Sequence, residues 1–130
     1  MNKQQIIDIF TKQLLEFAKC LCKLYPHDVD LKLAKTAVVA ISLVNSRQLL
    51  DLYNEFAFPY RERILNKDEQ YFLQKDFVSD DLDASTDKSA FSTMFNFRRY
   101  LTELSDENKE NIWLYMMVLV KLNDKYLELR

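Results

Sequence analysis

From residue 3 to residue 24, apolar positions recur every three or four residues. Ile6, Phe10, Leu14, Phe17, Leu21 and Leu24 fall on one stripe, and Asp8, Lys12, Glu16, Lys19 and Lys23 occupy much of the rest. That is the period of a helix with one buried face. Tyr25-Pro26 ends the segment, because the residue before a proline avoids helical angles. Asp28 then serves as N-cap for a second helix reaching about Leu43. Leu31, Ala34, Val38 and Ile41 form its first stripe, and Leu33, Ala37, Ala40 and Val44 widen it. The second half of VDLKLAKTAVVAISLV is therefore apolar on more than one face, which predicts a central helix.

Asn45-Ser46 caps a third helix over about 47–57, with Leu49, Leu50, Tyr53 and Phe56 inward. Pro59 kinks or breaks it. Short helical pieces follow at 60–65 and 68–75, the latter anchored by Tyr71, Phe72 and Leu73. An acidic stretch, about 76–87, comes next. Residues 88–104 read as helix, with Asp87 as cap, Phe91, Phe95 and Leu101 inward and Met94 beside them. SDEN at 105–108 is a helix start with acids in the first turn. The last helix runs from about Asp106 to Leu127 on a stripe of Ile112, Met116, Leu119, Val120, Asn123 and Tyr126.

Composition strengthens this picture. The 130 residues include no glycine, where average usage would supply about nine. Without glycine the chain lacks the turns of dinucleotide folds and P-loops, and it has no Asn-Gly or Asp-Gly hairpin. The expected fold is all-α: one domain over residues 1–130, a bundle of five to six helices. The net charge of −2 gives no global pull toward nucleic acid or anionic lipid.

Candidate chemistry is sparse. Aligning the acidic stretch as a calcium loop from Asp81 puts Thr86 where glycine is needed and Ser92 where a bidentate Glu belongs. A solvated connector fits it better; an acidic patch for a basic partner is the other reading. Cys20 and Cys22 are two apart, so on a helix they point about 200° away from each other. They read as reduced thiols, with Lys19 and Lys23 near enough to depress a thiol pKa slightly. His27 is the one histidine, so any Ser-His-Asp or Cys-His set would have to use it. Neither an enzyme, a metal site nor a cofactor is expected.

Two binding readings remain. Arg61 and Arg63 in YRER, with Arg98 and Arg99 in MFNFRRYLTEL, interleave arginine with aromatics and could serve nucleic acid. The sequence pI of about 5.4 argues against a dedicated binder. Phe97 and Tyr100 could instead cover an edge of the bundle. The seventeen aromatics are more than a small core easily accommodates. Trp113, Tyr115 and Met117 lie off the last helix's main stripe. Either they pack under the 58–75 segment, or they form a face for a protein partner or a homodimer. WLYMMVLV at 113–120 is too short to span a bilayer, and MNKQQIIDIF lacks the apolar run of a secretory leader. An intracellular, soluble protein is expected.

Four segments carry a resemblance: NKQQIIDIFTKQLLEFAKCL, YPHDVDLKLAKTAVVAI, QYFLQKDFVSDDL and LSDENKENIWLYMMVLVKL. In order and spacing they resemble a set of small helical proteins of nucleocytoplasmic large DNA viruses of algae and protists. The resemblance implies a setting, the host cytoplasm or viral factory, with virion packaging open; it carries no activity or functional residue. The expected role is a non-enzymatic viral protein working by protein–protein contact, a small structural or adaptor component. The alternative is a nucleic-acid accessory factor using Arg61, Arg63, Arg98 and Arg99.

Overall fold

A computed structural model describes residues 1–75, 89–97 and 103–129. The chain forms α1 (Lys3–Leu24), α2 (Val29–Val44), α3 (Ser46–Ala57), a 3-10 turn (Phe58–Tyr60), α4 (Arg61–Leu65), α5 (Glu69–Gln74), α6 (Ser89–Met94) and α7 (Asp106–Glu128). Among the described residues there is no strand, and the expected all-α bundle is what forms.

The helix starts are set by short polar side chains that satisfy otherwise orphaned amides. Asp28 accepts from Leu31 N at 3.1 Å, and Asn45 from Gln48 N at 3.3 Å. Asp68 accepts from Tyr71 N and Ser105 from Asn108 N, both at 3.2 Å. Asn2 adds a reciprocal box with Gln5, in which each side chain accepts from the other's backbone amide at 2.9 and 3.0 Å. Pro59 ends α3 by tightening the chain into the 3-10 turn.

The turn after α4 does without glycine. Lys67 takes the left-handed conformation at φ 50°, the one such residue among those described. Its amide bonds Ile64 O at 3.1 Å, and the Asp68 amide bonds Arg63 O at 3.0 Å. These two bonds are a Schellman closure, a position that usually selects glycine.

α1 is the central element and packs on α2, α3 and α7. Its expected stripe is buried from Ile6 to Leu21, and the stripe expected on α7 is buried throughout. An aromatic seam runs through the interior. Tyr53 meets Phe10 with ring centroids 5.1 Å apart, and Phe56 lies over Phe95 at 5.6 Å. The aromatics are thus largely internal; among the described residues only Phe58 stands mostly in solvent, at 56% exposure.

Two expectations about the fold are corrected. The helix expected over 88–104 stops at Met94, and the chain turns through Phe95, Asn96 and Phe97. Phe95 and Phe97 are both fully buried. Two residues apart on a helix they would point about 200° from each other, so breaking the helix lets both rings enter the core. Phe97 is a core residue, not an edge cover. Asp87 and Leu101, named as cap and inward residue, lie outside the described residues.

The second correction is α2. It is a flank, not the centre. It buries Leu31, Ala34 and Val38 against α1, α3 and α6, and on its opposite face Val29, Leu33, Leu43 and Val44 are exposed.

Candidate functional site

The bare face of α2 is the largest departure from ordinary surface chemistry among the described residues. Val29, Leu33, Leu43 and Val44 are 64%, 62%, 82% and 86% exposed. At about 100° per residue, these four with Thr36 and Ala40 span an arc of roughly 100°, directly opposite the buried stripe. From Thr36 to Val44 the helix carries no charged residue. Single exposed apolar residues are normal; a continuous stripe marks a contact surface. Fully covering each large side chain would be worth about 1.5–3 kcal/mol.

At the N-terminal end of α2 lies an open hollow of about 530 Å³, where Leu24, Tyr25, Pro26 and Val29 are mixed with the polar side chains of His27, Asp28 and Asp30. His27 itself is exposed. A second hollow, about 430 Å³, runs between α1 and α7 and is lined by Gln13, Cys20, Asn111, Leu114, Tyr115 and Val118. Burial pushes the Cys20 thiol up, with Lys23 opposing weakly. Burial also pushes Cys22 up, against the pull of Lys35 and Lys32. The small depression expected from neighbouring lysines is therefore overturned: desolvation outweighs their charge. Cys22 Sγ donates weakly to Leu31 O at 3.5 Å, which ties α1 to α2. Among the described residues no three His, Cys, Asp or Glu come together as a metal-holding group. The acidic stretch considered as a metal loop lies outside the described residues up to Lys88.

Trp113, Tyr115 and Met117 do not form one exposed face. Trp113 is buried beneath the α5 region, its ring 5.8 Å from Phe72 and 6.1 Å from Phe97. Tyr115 is half-buried and stacks on Phe17 at 5.4 Å. Met117 packs half-buried against the core. Of the two readings open for this trio, packing under the 58–75 segment describes Trp113. The exposed large apolar residues of this helix are Leu114 and Val118, on the α1–α7 hollow.

The arginines are engaged where they are described. Arg61 grips Asp124 with two bonds, Nε to Oδ1 at 2.9 Å and Nη2 to Oδ2 at 2.7 Å, and also meets Glu62. This fork pins α4 to α7. Arg63 meets Asp68 at 2.7 Å and lies over the Tyr71 ring, 4.5 Å from its centre. The Arg63 hydrogen bond, with the Tyr71 amide, holds the Asp68 carboxyl below its ordinary range. A phosphate would have to displace these carboxylates. Arg98 and Arg99 lie outside the described residues.

These features define a small all-α bundle with an apolar helix face exposed among the described residues. Comparisons with protein-family models, curated proteins and solved structures found no match. Among the described residues, no helix is long and apolar enough to cross a membrane. Sequence reasoning detected that α2 is apolar on two faces; it missed that one of them faces solvent.

Proposed function

We propose that this protein works by protein–protein contact, as a small structural or adaptor component and not as an enzyme, with the outer face of α2 as its contact surface. The observation that carries this reading is the continuous stripe from Val29 to Val44, exposed on a helix whose other face is already buried. Leaving such a stripe in water is unfavourable unless something covers it. The resemblance to giant-virus helical proteins supplies the setting in which the role would be played, an infected cell or a particle.

The test is affinity capture with mass spectrometry from cells making the tagged protein, wild type beside a Leu43→Glu, Val44→Glu variant. Both positions are exposed, so the fold should survive and its melt should be unchanged. Loss of bound protein in the variant supports the reading. An identical set of bound proteins in both samples would overturn it.

A further inference from the structure

Away from α2, two buried polar atoms line one small hollow between α3 and α7. Tyr53 is fully buried and Asn123 is 4% exposed, and the hollow they share holds about 160 Å³. Among the described residues, neither the Tyr53 hydroxyl nor Asn123 Oδ1 has a hydrogen-bond partner. Buried polar atoms are nearly always bonded, so two unbonded ones on the same hollow call for an explanation. The Asn123 amide is held in one orientation, because its Nδ2 donates to Asn54 Oδ1 at 2.8 Å. That leaves Oδ1 for the hollow.

The other walls offer little to a polar group. Ala57 and Val120 are buried apolar residues, and Phe58 adds a ring at the rim. Arg61 also lines the hollow, but each of its three nitrogens already donates to a carboxylate, two to Asp124 and one to Glu62. Apolar walls with a few fixed polar atoms are the make-up of a small-molecule pocket.

The two polar atoms specify the group that fits. A tyrosine hydroxyl donates as well as accepts, whereas an amide oxygen only accepts. A bound hydroxyl satisfies both at once: it accepts from the Tyr53 O–H and donates to Asn123 Oδ1. An ammonium only donates and leaves the Tyr53 proton unpaired. A ketone only accepts and leaves Asn123 Oδ1 unpaired.

One wall has room to move. As it stands the hollow is too narrow to seat a water-sized sphere. Tyr53, Ala57, Val120 and Asn123 belong to the core, and the Asp124 fork pins Arg61. Phe58 sits on the 3-10 turn after α3 and is 56% exposed.

We infer that this hollow is a binding site for a small aliphatic alcohol, with Phe58 as its gate. The hydroxyl bridges Tyr53 and Asn123, and the alkyl body lies on Ala57, Val120 and the inner face of the Phe58 ring. This site is separate from the α2 face and stands or falls without it.

The test is a titration of the full chain with n-propanol at millimolar concentrations, followed by amide NMR shifts. Saturable shifts should centre on Ala57, Phe58, Val120 and Asn123. Tyr53→Phe should weaken binding by about tenfold, and acetone and propylammonium should bind wild type about tenfold more weakly than n-propanol. Shifts that do not saturate, or are not centred on those residues, overturn the inference. So does equal affinity in Tyr53→Phe, or an equal response to acetone or propylammonium. Water is the other source of a hydroxyl: Overhauser contacts from a bound water to these amides, undisturbed by n-propanol, would also overturn the alcohol. Thermal melts test the gate. Tyr53→Phe should stabilise the free protein but lose that advantage in a Phe58→Ala background, where water reaches the hydroxyl. The same advantage in both backgrounds would remove Phe58 as the gate.

Discussion

Tyr53 places a hydroxyl where none of the described residues gives it anything to bond. The residue is fully buried, with its ring against Phe10 at 5.1 Å, Phe91 at 5.9 Å and Phe95 at 6.2 Å. Among the described residues its hydroxyl has no hydrogen-bond partner, and the Oδ1 of Asn123, lining the same small hollow, has none either. A hydroxyl desolvated without a partner costs about 1–3 kcal/mol. Tyr53→Phe removes the oxygen and keeps the ring, so it should stabilise the protein by about 1 kcal/mol. For a domain of this size that raises Tm by about 3–5 °C. Tyr53→Ala would lose the ring as well and cost about 3–5 kcal/mol.

The same site gives a pH signature. Burial first, and the Asp124 charge second, push the Tyr53 hydroxyl far above the ordinary value of 10.0. The unfolded chain therefore loses this proton near pH 10.0 while the folded chain keeps it. The group's contribution is fully present below the unfolded pKa and declines as pH rises beyond it. Wild type should lose about 1.4 kcal/mol per pH unit from this group above that point. Tyr53→Phe is spared this loss, so its advantage widens in alkali. Urea unfolding followed by far-UV circular dichroism, at neutral pH and at steps above 10.0, measures both effects. A Tyr53→Phe variant less stable than wild type by 1 kcal/mol or so at neutral pH would refute the reasoning, since the hydroxyl would then have a bonding partner.

Other residues make separate predictions. Lys67→Gly should stabilise by about 0.5 kcal/mol, because glycine relieves the left-handed turn while an exposed ion pair to Glu110 is lost; Lys67→Val should destabilise by about 1–2 kcal/mol. Thermal melts of the two variants check the order. Trp113→Ala should cost about 3–5 kcal/mol, whereas Leu43→Glu should stay within about 0.5 kcal/mol, and denaturant titration separates core from surface. Cys20 and Cys22, both pushed up by burial, should react with a thiol reagent at mildly alkaline pH more slowly than the same chain in urea. Faster labelling of the folded protein would contradict that assignment.

The sequence by itself determined the fold class, the helix starts and the inward stripes of α1 and α7. These are local matters. A chain without glycine has few routes to close turns other than helix caps, and Asp28, Asn45, Asp68 and Ser105 sit where the caps form. A 3.6-residue period shows directly which side of a one-faced helix is buried. Tertiary structure decided the rest. It broke the chain after Met94 so that Phe95 and Phe97 could both enter the core, and it set Trp113 against Phe72 and Phe97. It also chose which face of α2 the bundle covers. Periodicity counts the apolar faces of a helix, but which neighbour covers each one depends on contacts between residues far apart in the chain. α2 has two such faces, and only the one bearing Leu31, Ala34 and Val38 is met by α1, α3 and α6.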